Sequence, residues 1–223
     1  MDSTLNTELK HTEYYQHHRE EILALVPDAV GTVLDVGCAA GNLGRGIRSK
    51  HPSAVLTGIE LQEGITQPGI YAQVHIGDVE TIVPALSKEG KTFDCIIFAD
   101  VLEHLNDVWA VIRSASTMLT PGGVIIASVP NIRHISTLKM YLFAGNWEYE
   151  KEGIMDKTHL RFFTARSVRK VFEDSGVRVE AVQLKEYLPT QPVKRFIAGV
   201  LKRSSLFRDI FAFQLIVVGT RRP

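Results

Sequence analysis

Four carboxylates stand at or near the ends of apolar runs in the first half of the chain. Asp35 lies in VLDVG, Glu60 closes VLTGIE, Asp78 closes HIGD and Asp100 closes IIFAD. Asp35 precedes Gly37 by two residues in DVGCAAG. A carboxylate there repels a pyrophosphate but accepts hydrogen bonds from an ammonium group. Gly37 and Gly41 let the backbone turn tightly and approach a ligand. The helix expected after them presents unpaired N–H groups and a positive dipole end. A dinucleotide turn follows the pattern G-x-G-x-x-G; counted from Gly37, this chain has Ala39 and Asn42 instead. Glu60 is suited to accept both hydroxyls of a ribose. Asp78 is suited to accept from an adenine amino group, with Val79 against the ring.

A second set of residues suits proton chemistry. His159 sits in DKTHLRFFT. A neutral imidazole accepts a hydroxyl proton near neutral pH, and Asp156 is the expected orienting partner. His104 is the second candidate base. With Asp100 and Glu103 it forms the run DVLEH, whose first and last members are expected on one helix face.

These residues need elements to hold them. Buried strands are expected at 32–36, 55–60, 72–76, 93–99, 124–129, 177–184 and 211–220, from apolar runs bounded by turn residues. Helices are expected at 8–26, 43–50, 79–87, 101–119 and 165–175, the last capped by Thr164 and closed by Gly176. Pro121–Gly122–Gly123 reads as a turn, and residues 131–164 as irregular, aromatic chain. Strands separated by helical crossovers imply a parallel sheet covered on both faces. No linker or repeat divides residues 1–223, so one domain is expected, with an N-terminal helical lid over about 1–28. An acceptor-side insertion is expected over about 130–163, because a loop that long is usually functional.

In order, D-V-G-C-A-A-G, an acidic strand end, G-D-V, A-D-V-L-E-H-L and T-P-G-G resemble the motifs of class I S-adenosylmethionine (SAM)-dependent methyltransferases over roughly residues 30–130. The terminal strands extend the resemblance to the whole chain. Ala39 stands where that family usually has glycine. The resemblance implies an α/β, Rossmann-like, doubly wound, mostly parallel seven-stranded sheet with an antiparallel last strand, and SAM as cofactor. It also implies that Asp35, Gly37, Ala39, Gly41, Glu60, Leu61, Asp78, Val79, Ala99 and Asp100 line the donor site, the last two near the sulfonium centre. On the same ground Tyr15 and Arg19 are assigned to the donor's carboxylate.

Two further resemblances bear on the acceptor. The pattern P-N-x-R-H…D-x-T-H-L-R-F-F-T resembles a bacterial subgroup linked to surface-glycan and sugar modification, which implies O-methylation of a glycosyl hydroxyl. The DVLEH run is similar to the acidic–x–x–Glu–His segment of ubiquinone-pathway O-methyltransferases, which implies a quinone-type phenol or another small metabolite instead. In that family the segment is associated with a divalent metal, and an oxygen-rich set would suit Mg²⁺. Here Asp100 replaces the more frequent Glu, and no metal is expected. Readings of other kinds are an NAD-linked oxidoreductase, which the absent dinucleotide glycine disfavours, and a non-catalytic SAM-binding module.

Composition narrows the partners. Lys plus Arg and Asp plus Glu number 25 each, so no global field draws nucleic acid. Cys38 and Cys95 have no metal-type spacing, and with a polar N-terminus lacking a signal peptide they fit a cytoplasmic protein. The segment 192–210 is basic and amphipathic, a pattern suited to peripheral membrane contact.

Overall fold

A computed structural model describes residues 19–186, 204 and 207–222. Most of the expected N-terminal helix, Tyr15 included, lies outside the described residues, as does most of the basic segment 192–210. The elements in chain order are α1 (Glu20–Leu23), β1 (Thr32–Val36), α2 (Asn42–Lys50), β2 (Val55–Glu60), β3 (Gln73–Ile76), α3 (Val79–Lys88), β4 (Phe93–Ala99), a 3₁₀ turn (Leu102–His104), α4 (Val108–Thr117), β5 (Leu119–Pro130), α5 (Ile135–Phe143), α6 (Ala165–Asp174), β6 (Val177–Glu186) and β7 (Ala212–Arg221).

Seven strands form one sheet in the order β3-β2-β1-β4-β5-β7-β6. The pairs β1–β2, β2–β3, β1–β4 and β4–β5 are parallel. β7 runs antiparallel to both β5 and β6. The strand order reverses between β1 and β4, so their carboxyl ends frame a crevice of the kind that binds ligands in such sheets.

Alternation along each central strand separates two cores, because successive side chains point to opposite faces. Leu34, Val36, Ile96, Phe98, Ile125 and Ala127 pack with Val83 and Leu86 of α3, Val111 and Ile112 of α4, and Val168 and Phe172 of α6. Val33, Cys95, Ile97 and Ile126 pack with Ile22 of α1 and with Leu43 and Ile47 of α2. Burial on both faces explains why these strands are apolar throughout.

Three local expectations need correction. The stretch 101–119 is not one helix. Leu105 is extended (φ −83°, ψ 142°) and Asp107 starts α4 by accepting from the Ala110 amide at 3.0 Å. Glu80 fixes the break by accepting from the amides of Asn106 at 3.1 Å and Asp107 at 2.6 Å. Residues Pro121–Gly123 do not precede β5 but bulge within it. Leu119 pairs with Phe93 and Val124 with Cys95, so Thr120–Gly123 arch out opposite Asp94. The stretch 131–164 is not irregular throughout, since it holds α5. By contrast α6 begins with the expected Thr164, in a capping box with Ser167.

Candidate functional site

A cavity of about 630 Å³ lies at the β1/β4 switch. Its floor comes from strand ends: Asp35 of β1, Ala99 and then Asp100 of β4, Pro130 of β5, and Phe213 and Gln214 of β7. One wall is Gly37–Ala40 with Asn42 and Leu43 of α2. The other is Glu103, His104, Glu150–Gly153, Asp156, Thr158 and His159, and Arg19 closes one side.

Asp35 is buried, and the Tyr71 hydroxyl donates to its Oδ2 at 2.6 Å. Burial raises its carboxyl from 3.8 to about 6, against the lowering effect of that hydrogen bond and of Arg19. Tyr71 reaches it because α2 carries Gly44, where a Cβ would lie 2.4 Å from the Tyr71 hydroxyl. Gly37 is in the left-handed region (φ 73°), and a Cβ there would lie 2.5 Å from Val101 Cγ2.

Glu60 does not line the cavity. Its Oε2 accepts from the Ala39 amide at 2.8 Å, and its Oε1 from the amides of Leu61 at 2.8 Å and Gln62 at 3.2 Å. It thereby holds Ala39 in a left-handed conformation (φ 45°). Asp78 accepts from the Glu80 amide at 2.8 Å as the N-cap of α3, with Val79 the first residue of that helix. Gly41 caps α2 (φ 86°), and Leu61 stands exposed. Gly41, Glu60, Leu61, Asp78 and Val79 are not among the residues that line the cavity.

Asp100 is the centre of a polar network. Its carboxylate accepts from Arg19 Nη2 at 2.7 Å, Ser128 Oγ at 2.7 Å, and Gln214 Nε2 at 2.8 and 2.9 Å. Its backbone is left-handed (φ 57°). Among the described residues, Arg19, Ala39 and Asp100 are the non-glycine residues with positive φ, and all three line the cavity. Strain of this kind collects at functional sites. Because Asp100 precedes the 3₁₀ turn, it does not share a helix face with His104.

The opposite wall gathers Glu103, His104 and His159. Glu103 is 1% exposed, and among the described residues neither carboxylate oxygen has a hydrogen-bond partner. Burial, followed by the charge of Asp100, pushes its carboxyl well above the usual range. The rings of His104 and His159 meet edge to face, with centroids 4.8 Å apart. His104 Nδ1 lies 3.2 Å from the Thr158 carbonyl, and His159 Nδ1 lies 3.0 Å from that of Ile154. A carbonyl only accepts, so each Nδ1 carries a proton. Burial, with His159 alongside, lowers the pKa of His104 and keeps it neutral at pH 7. Asp156 is not the orienting partner expected for His159. Its Oδ1 accepts from the amide and hydroxyl of Thr158, at 2.8 and 2.7 Å.

Sequence reasoning missed Tyr71, Ser128, Phe213, Gln214 and Glu150–Gly153. Ser128 and Gln214 are polar positions inside otherwise apolar strands, IIASV and FQLIV. A buried polar residue in such a run is the signal that could have found them.

The profile of a methyltransferase domain matches residues 9–182. A ubiquinone biosynthesis O-methyltransferase of Parvibaculum lavamentivorans is 27% identical over 162 residues, 70% of this chain and 62% of that one. One from Coxiella burnetii is 30% identical over 115 residues, 50% of this chain and 47% of that one. The chain thus spans about half to three-fifths of the length of these relatives. A solved SAM-dependent methyltransferase of Archaeoglobus fulgidus superposes with a TM-score of 0.71 at 16% identity, covering 99% of this chain and all of that one. One from Thermotoga maritima, described as a possible histamine N-methyltransferase, gives 0.64 at 14% identity, with 97% of each chain covered. The seven-stranded sheet with its antiparallel β7, the glycine turn after β1 and the matched profile give one conclusion: the chain belongs to the methyltransferase domain family and has the fold of the SAM-dependent enzymes.

Proposed function

We propose that this protein is an O-methyltransferase that moves the methyl group of SAM to a hydroxyl of a small acceptor, a phenolic hydroxyl first. The observation that carries the reading is the two-ended cavity. At one end, buried Asp35, the Gly37–Ala39 turn and the N-terminus of α2 suit an amino-acid zwitterion, the carboxylate taking the ammonium. At the other, the carboxyl of Glu103 and the imidazoles of His104 and His159 face a hydroxyl. SAM supplies an activated methyl group with its own leaving group, so the C–S bond breaks as the C–O bond forms. The chain's share is to align the acceptor and take up its proton. Asp100, locked by Arg19, Ser128 and Gln214, fixes the floor between the two ends.

Two supports favour a phenol. The curated relatives bear the name ubiquinone biosynthesis O-methyltransferase. In the insertion beside the rim, Trp147 meets Phe162 edge to face with ring centroids 5.5 Å apart, and Tyr149 lies tilted against Phe162 at 6.4 Å. A glycosyl hydroxyl is the second reading, favoured by the rim residues Glu150, Lys151, Glu152 and Asp156, which suit a polyol. The test is calorimetric titration with SAM, its demethylated product and NAD, followed by product mass analysis with catechols and sugars. The proposal expects SAM and product to bind, NAD not to bind, and a mass gain of one methyl on the catechol. Absence of SAM binding overturns it. Methylation of sugars alone replaces the phenol with the glycosyl reading.

A further inference from the structure

We infer that Phe213 is a specificity-determining residue of the acceptor end, a fixed platform for the face of a flat aromatic acceptor. The inference rests on the proposed methyl transfer and names the surface that selects its acceptor. β7 runs antiparallel to β5, with Gln214 paired to Pro130. Its first residues therefore lie at the carboxyl end of the parallel strands, where the cavity is. Phe213 is half-buried there. It is the one phenylalanine, tyrosine or tryptophan among the described residues that line the cavity. In the sheet, β7 stands two strands beyond β4 and three beyond β1. At ~4.8 Å per strand, that is roughly 10 Å from the strand that ends at Asp100 and roughly 14 Å from that of Asp35. The ring thus lies on the far side of the strand switch from the Gly37–Ala39 turn.

The platform is held before any ligand arrives. The Asn131 amide donates to the Phe213 carbonyl at 2.9 Å. The Asn131 side chain is fully buried and donates to the carbonyls of Asp209 at 2.8 Å and Ala212 at 2.9 Å, which fixes the entry into β7. His134 meets the phenyl ring edge to face, with centroids 5.7 Å apart, and its Nδ1 lies 2.7 Å from Ser136 Oγ. Asn131 and His134 belong to the run PNIRH, and in the structure that run supports Phe213. The next residue, Gln214, ties the same strand end to Asp100. A surface ordered in advance loses little freedom on binding. A phenyl face gives no hydrogen bond, but it attracts a second ring laid offset or edge-on. An aromatic acceptor placed there keeps its hydroxyl free for Glu103, His104 and His159, which line the same cavity.

The experiment uses the full chain with catechol as the probe. Calorimetry reads catechol affinity on protein loaded with demethylated SAM, and steady-state kinetics with SAM read KM and kcat. Phe213→Leu keeps apolar bulk without the ring, and Phe213→Tyr keeps the ring. Phe213→Leu is expected to weaken catechol binding and raise its KM at least ~10-fold, through loss of a ring face and its contact area. Its SAM affinity and unfolding midpoint stay near those of the parent, and Phe213→Tyr holds catechol within about 3-fold of the parent. Should Phe213→Leu fail to fold, Phe213→Met takes its place. Unchanged catechol affinity in the ringless variant overturns the inference, as does a parent that binds no catechol. An equal loss in Phe213→Tyr also overturns it, and so does a loss of SAM affinity in step with that of catechol, which marks a ring that only packs. The two ideas fail separately. Catechol methylated with equal kcat/KM by the parent and Phe213→Leu sinks only the platform. Catechol bound through Phe213 but never methylated sinks only the methyl-transfer reading.

Discussion

The Tyr71 hydroxyl donates to Asp35 Oδ2 at 2.6 Å from a loop 36 residues further along the chain. The bond partly offsets the burial that raises Asp35 from 3.8 to about 6. A carboxyl raised in the folded state is favoured while protonated, so its contribution to stability is full below about pH 4 and is lost as pH rises through 6. Asp35→Asn removes the cost of ionisation. It should be relatively more stable than the parent at pH 7.5, by on the order of 2–3 kcal/mol, and lose that advantage at pH 4. Urea unfolding at the two pH values reads the difference, and an advantage independent of pH would show that Asp35 is not the group responsible.

The same carboxylate predicts a pH dependence of donor binding. An ammonium group selects ionised Asp35, so SAM affinity in the parent should rise between pH 5 and 7 and level off above, with proton release at the lower end. Tyr71→Phe removes the donor to Asp35, shifts the rise to higher pH and costs roughly 1–2 kcal/mol of stability. Calorimetry in buffers of different ionisation enthalpy measures both effects. A flat profile in the parent would place the ammonium group elsewhere.

Gly37 admits no side chain. Its φ is 73°, and a Cβ would approach Val101 Cγ2 to 2.5 Å. Gly37→Ala combines a left-handed strain of about 1 kcal/mol with a clash, and it shifts the turn beside Asp35. SAM affinity should fall at least ~10-fold and the unfolding midpoint should drop, because the contacting methyl belongs to buried Val101. Parent-like SAM binding by this variant would mean that the turn does not touch the donor.

The elements of the sheet and the glycine turn after β1 were legible for a physical reason. Buried parallel strands must be apolar throughout, so VLDV and CIIFA announce themselves, and a ligand turn at a strand end needs glycine. The opposite wall of the cavity was less legible because its geometry is long-range. Asp156 is near His159 in sequence, yet the Ile154 carbonyl holds His159 and Asp156 turns to Thr158. The break after His104 depends on Glu80, 26 residues before Asn106, and no local pattern encodes that contact. Gln214 is more than a hundred residues from Asp100 in the chain and meets it only because β7 inserts between β5 and β6.

That distant pair supplies the last prediction. Gln214 Nε2 sits 2.8 and 2.9 Å from the two Asp100 oxygens, and Asp100 is held at φ 57°. Gln214→Leu keeps the bulk but removes the donor, leaving Arg19 and Ser128 to restrain the carboxylate. Hydrogen bonds to a charged group contribute about 1.5–3 kcal/mol. Gln214 lies on the cavity floor, so part of that loss should appear as a relaxed Asp100 rather than as unfolding. We expect kcat to fall about 10-fold or more with the KM for acceptor changed less, because positioning is spent in the transition state. Gln214→Glu should be worse, since a second carboxylate would face the first. Steady-state kinetics beside thermal unfolding separates the two effects. A loss of stability with kcat intact would reduce Gln214 to a structural role in β7.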